Sequence, residues 1–138
     1  MTSAVKWLRI SYRLGAAFDA AMLIPMLSPT VGGRLFGIDN FAPGPDFRYA
    51  MGVAAALMAG WTALLLWADR RPLERRGILL LTVCPVLVGL MAAGAYAVAA
   101  GLVAPAKMLP VWILQFALAT LFVVGYRRGA AGAERDSG

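Results

Sequence analysis

Asp19 is an acid set inside an apolar stretch that runs from Trp7 to Leu27. A carboxylate at the centre of a membrane helix costs about 2.5–3.5 kcal/mol on insertion scales, so it is expected to face protein or water and to need a polar partner. Depth along the other apolar stretches nominates that partner. With helix midpoints near residue 17 in the first stretch and residue 117 in the fourth, a rise of 1.5 Å per residue puts Asp19 and Gln115 at the same level, each about 3 Å outward of centre. Tyr96 lies roughly two turns outward of the midpoint of the third stretch and is the expected second partner. Arg48, at the outer start of the second stretch, is placed to reach the mouth of such a site, although its long side chain also suits snorkelling to the interface. Asp19, Gln115, Tyr96 and Arg48 are therefore the candidate ligand-binding residues. Two readings stay open at this point. Either they line a polar pocket that takes a proton, a cation or the polar head of a lipophilic ligand, or a neutral, hydrogen-bonded Asp19 pins the first helix to the fourth.

Other chemistry is excluded by inventory. The chain has no His and a single Cys, Cys84, which removes imidazole-ligated haem, His-rich metal sites, Ser-His-Asp triads and intramolecular disulfides. No catalytic residue, metal ligand or cofactor is nominated, and a non-enzymatic role is the expectation. Cys84 falls in the apolar run Leu79–Leu90 and is expected to act as a small buried hydrophobe.

The elements that must position Asp19 are read from composition. Hydrophobic residues make up 61% of the 138-residue chain and charged residues 14%, against roughly 45–50% and about 25% in soluble domains. The stretches Trp7–Leu27, Met51–Trp67, Ile78–Val103 and Met108–Val124 each approach or meet the roughly 17–25 residues that cross a hydrocarbon core about 30 Å thick. The prediction is an all-α fold, a four-helix transmembrane bundle over residues 1–126, with helices at about 7–28, 47–68, 73–103 and 106–126 and a disordered cytoplasmic tail at 127–138. Of the 13 cationic residues, ten fall on one side of the spans and only Arg34, Arg48 and Lys107 on the other. The positive-inside rule then places both termini and the Asp69–Gly77 loop in the cytoplasm. The net charge of +6 is explained by the membrane, and no nucleic-acid partner is expected. The first stretch reads as a retained helix, because Asp19 interrupts it and Ser28-Pro29-Thr30-Val31 lacks a small-x-small cleavage pattern.

Between the spans, Pro29 is expected to stop the first helix and open a long outer loop to residue 47, with an apolar centre at Leu35-Phe36-Gly37-Ile38 that lies on the membrane surface or folds over the bundle. Asp46 is the expected N-cap of the second helix, and Pro72 the first helical position of the third. Trp7, Tyr12, Trp67 and Tyr126 form one aromatic belt, and Phe47, Tyr49 and Trp112 the other. Trp61 is deeper and is expected to pack between helices. Small residues at four-residue spacing, Gly52, Ala56 and Gly60 in the second helix and Gly89, Ala93, Ala97 and Gly101 in the third, predict tight packing of these two helices. Pro85 predicts a kink in the third helix.

The segments Tyr12-Arg13-Leu14-Gly15, Arg48-Tyr49-Ala50-Met51-Gly52, Gly60-Trp61-Thr62 and Trp67-Ala68-Asp69-Arg70-Arg71-Pro72-Leu73-Glu74-Arg75-Arg76 resemble a group of small bacterial four-helix membrane proteins and, distantly, the DoxX-like proteins. That resemblance spans roughly residues 9–126. It implies a multi-pass protein of the inner membrane and transfers no activity or catalytic residue. The expected function is binding of a small lipophilic molecule or service as a subunit of a membrane complex, self-association included. Two alternatives are a small proton-coupled transporter using Asp19, and a subunit of a quinone-linked membrane oxidoreductase. The transporter reading looks to the small multidrug exporters, whose antiparallel dimers need a weaker charge bias than ten against three.

Overall fold

A computed structural model describes residues 3–136, with side chains described to residue 131. Helix α1 spans Ser3–Leu27, the short α2 Pro29–Phe36, and α3 Pro45–Asp69. The third membrane span, Gly77–Ala99, is built from α4 (Gly77–Leu81), a π-helical turn (Thr82–Leu87) and α5 (Val88–Ala99), and α6 runs Pro105–Asp136. Four helices are long and apolar enough to cross a membrane, the shortest 23 residues, or about 35 Å at 1.5 Å per residue. Large apolar side chains such as Leu57, Ile113 and Phe116 point outward from the bundle, as expected where lipid is the solvent. The protein is a multi-pass, all-helical membrane protein.

The prolines and glycines punctuate the chain differently from the sequence reading. Pro29 ends α1 but also occupies the first turn of a new helix, α2, with Ser28 as its N-cap, a place where the missing N–H costs nothing. Gly37 closes α2 in the left-handed region, φ 70°. The Ile38 N–H donates to the Gly33 carbonyl at 2.8 Å and the Gly37 N–H to that of Arg34 at 3.3 Å, a glycine-terminated cap. The expected loop is thus half helix. The α2 backbone lies on the end of α1, for a Cβ on Gly32 would stand 2.7 Å from the Pro25 carbonyl oxygen. Asp46 does not cap α3. Pro45 takes the first helical turn and Gly44 becomes the N-cap, leaving the Asp46 carboxylate near the positive end of the helix dipole.

Two further boundaries differ. Residues 71–76 form turns, and regular helix begins at Gly77 instead of near Pro72. Pro85 is absorbed by the π turn, whose wider hydrogen-bond spacing accommodates a residue that cannot donate. The expected disorder from residue 127 is replaced by helix as far as Asp136, where Ala and Arg favour helix; residues 137 and 138 lie outside the described residues.

Helix α1 is the centre of the bundle. It packs along α3 on one side and α6 on the other, and the third span leans on α6. The predicted packing of α3 against the third span through their small-residue stripes is not what occurs. A Cβ added at Gly52, Gly60, Gly89 or Gly101 would meet nothing within 4 Å. The glycines at close approaches are others: a Cβ at Gly15 would meet the Phe122 ring at 2.8 Å, at Gly125 the Ser11 hydroxyl at 2.6 Å, and at Gly129 the Leu8 side chain at 2.9 Å. Small side chains let backbones come together where lipid supplies no hydrophobic drive, and here they seat α1 against α6. Trp61 packs against the core as expected, and its Nε1 donates to Thr82 Oγ1 at 3.2 Å, bridging α3 to the third span.

The buried core, Leu8, Tyr12, Ala16, Leu65, Ala68, Leu79, Leu87 and Phe122, lies in the half of the bundle that carries most of the arginines. Tyr12 belongs to this core and not to an interfacial belt; its hydroxyl donates to the Arg75 carbonyl at 2.9 Å. Around it Arg13 Nε donates to Asp69 Oδ2 at 2.9 Å, Arg9 stands 4.0 Å from the other Asp69 oxygen, and the Arg75 guanidinium lies 3.3 Å from the centre of the Trp67 ring.

Candidate functional site

Away from the arginines the bundle is hollow. A cavity of about 550 Å³ is walled by all four spans and roofed by α2, within the range of about 300–1,000 Å³ typical of small-molecule sites. Phe18, Asp19 and Met22 face it from α1, Gly32 and Phe36 from α2, Arg48 and Met51 from α3, Leu87, Leu90 and Gly94 from the third span, and Met108, Leu114 and Gln115 from α6. The cavity forms where α3 and the third span, bridged by Trp61 nearer the arginine-rich end, do not close on each other.

Three of the four residues nominated from the sequence line this cavity. Asp19 Oδ2 and Gln115 Oε1 are both buried and have no hydrogen-bond partner. Arg48 borders it from the first turns of α3 with its side chain exposed. Among the described residues Asp19 has no ion-pair partner, and Arg13, the nearest cation along α1, is held by Asp69. Tyr96 is not part of the site. It is 71% exposed on the outside of the bundle because Gly94, two residues earlier, packs toward Met108 and Trp112 of α6. Two residues turn a helix by about 200°, which sends Tyr96 to the opposite face. Cys84, expected to be buried, is exposed on the outer surface of the π turn.

The sequence reading missed the walls. Met22, Met26, Met51, Met58 and Met108 line the cavity, five of the seven methionines in the chain. Unbranched thioether side chains reshape around irregular apolar bodies, so this wall is adaptable. The available signal was the recurrence of Met at 22, 26 and 51 in the outer parts of the first two spans, with Met58 at the middle of the second. Thr82 was also missed; it accepts from Trp61 while donating to the Ile78 carbonyl at 2.8 Å, which keeps that polar pair satisfied below the cavity.

Chemically the site offers two buried oxygen acceptors in apolar surroundings, with a guanidinium at the rim. An unpaired buried acceptor costs about 1–3 kcal/mol, which is recovered when a donor arrives. No group of three or more His, Cys, Asp or Glu able to hold a metal ion occurs among the described residues. No family model, curated protein sequence or solved structure matches this chain, and the resemblance to DoxX-like proteins is without support from them.

Proposed function

We propose that this membrane protein binds a small lipophilic molecule in the cavity beneath α2, with Asp19 and Gln115 holding its polar head and Arg48 at the rim. The observation that carries the reading is the pair of buried, unpartnered oxygens contributed by α1 and α6 to one methionine-rich cavity. Natural interiors satisfy nearly all buried polar side-chain atoms; the other two unbonded ones, Arg9 Nε and Asp69 Oδ1, face each other as an ion pair at 4.0 Å, whereas the two oxygens on the cavity have no opposite charge beside them and support a ligand whose polar group completes them. The charge bias of ten cationic residues against three supports an inner-membrane orientation with both termini and the 70–76 turn in the cytoplasm, so that the cavity sits toward the outer side.

A subunit role draws on a separate observation: Ala56 and Gly60 on α3 are exposed, with open space over Gly60, a surface on which another membrane helix would fit. Native mass spectrometry of the protein extracted in mild detergent, comparing wild type with Asp19→Asn, tests both. A co-purified lipophile present in the wild type and lost in the variant is the expected result. A protein partner retained by both, with no small molecule in either, would favour the subunit role and remove the cavity from the function.

A further inference from the structure

Resting on the ligand-binding reading above, we infer that the cavity selects lipophilic amines, the ammonium group donating to Asp19 Oδ2 and to Gln115 Oε1. The argument is one of donor and acceptor count. Gln115 can present either end of its amide, but an ionised carboxylate only accepts, so Asp19 sets the class. Its free oxygen is buried, and the cavity wall supplies no cation except Arg48, which is exposed at the rim and makes no ion pair with Asp19 among the described residues. A ketone, a quinone or a carboxylic acid anion would set oxygen against oxygen at this point. A neutral alcohol brings one hydrogen and satisfies one acceptor. A primary ammonium brings three and supplies the opposite charge that a buried carboxylate requires. The remaining wall, with Met22, Met58, Leu87 and Leu118, is suited to an alkyl or aryl body and offers it no competing polar group.

The experiment measures binding of three probes that share one chain, dodecylamine, dodecanol and dodecanoate, to the full protein in lipid nanodiscs near neutral pH, with Asp19→Asn and Ala93→Phe beside the wild type. Ala93 lines the cavity, and a ring there narrows it. The expected result is that dodecylamine binds the wild type about tenfold or more tightly than either other probe and loses that advantage in Asp19→Asn, in line with the strength of hydrogen bonds to charged groups, while Ala93→Phe weakens all three. Equal binding of the three probes, unchanged in Asp19→Asn but lost in Ala93→Phe, would overturn the amine class and leave the cavity as a ligand site. A preference for dodecanoate abolished by Arg48→Gln would overturn it too, in favour of an anion held at the rim. Binding insensitive to Ala93→Phe would sink the ligand-binding reading itself. Thermal unfolding of each variant without probe confirms that the fold is intact, and dodecylamine is expected to raise the midpoint of the wild type and not of Asp19→Asn.

Discussion

The two halves of the bundle are made of the same helices and put them to opposite uses. Toward the arginines, glycines at 15, 125 and 129 bring α1 against α6, and the inward polar groups lie against complementary ones: Ser11 donates to the Trp7 carbonyl at 2.9 Å, Tyr12 to that of Arg75, and the buried Arg9 Nε and Asp69 Oδ1, which make no hydrogen bond, face each other as an ion pair at 4.0 Å. Toward α2, the same helices splay around a methionine-lined space and leave Asp19 and Gln115 oxygens unpaired. Close packing in one half holds helices that separate in the other. Buried polar oxygens with neither a hydrogen bond nor an opposite charge beside them are where something from outside the chain is needed.

This contrast can be broken most severely from the packed half. Gly125→Leu should destabilise the protein by about 3 kcal/mol, because a side chain there must displace the Ser11 hydroxyl and the α1 backbone behind it; denaturant unfolding in mixed micelles reads this directly. Tyr12→Phe should cost about 1 kcal/mol by removing one of the two donors to the Arg75 carbonyl, which keeps the Ile78 N–H at 3.0 Å, visible as a lower unfolding midpoint with an unchanged denaturant slope. In the hollow half the sign should reverse. Asp19→Leu, removing an unpaired buried acceptor, should raise the stability of the ligand-free protein by about 1 kcal/mol, and a clear loss would mean that Asp19 pins α1 to α6 after all.

Smaller effects sharpen the picture at its edges. Asp69→Asn removes the carboxylate shared by Arg13 and Arg9; since Arg13 is largely exposed, the loss should stay below about 1 kcal/mol and shrink further as salt is raised. Gly60→Leu, on an open face of α3, should leave the unfolding midpoint of the isolated protein within about 0.5 kcal/mol of wild type. If the same substitution removed a co-purifying protein partner, the subunit role would gain what the isolated chain does not provide.

Much of the architecture was legible before any coordinates. Depth follows from counting: a fixed rise per residue placed Asp19 and Gln115 at one level, and both line the cavity. The same arithmetic failed for Tyr96, since depth says nothing about which way a residue faces around the helix. The small-residue stripes failed for a related reason. Four-residue spacing occurs at Gly52, Ala56 and Gly60 as well as at Gly125 and Gly129, yet only the second pair is pressed against a neighbouring helix. Pro29 and Gly37 were recognised as punctuation, but the short helix they bracket was not, because eight residues carry too little periodicity to declare a helix against its own glycines.

What the sequence determined by itself is the number of spans, the solvent they require, the sidedness of the charge and the isolation of one carboxylate among apolar residues. These are sums over local windows, and a membrane makes them decisive because unsatisfied backbone has no place in hydrocarbon. Only the tertiary structure decided the rotation of each helix about its axis, and with it which glycines touch, that α3 and the third span stand apart, that α2 roofs the gap, and that Asp19 and Gln115 share it without bonding. Rotation is set by the fit of one helix surface to another, which depends on residues far apart in the chain and on no window within it.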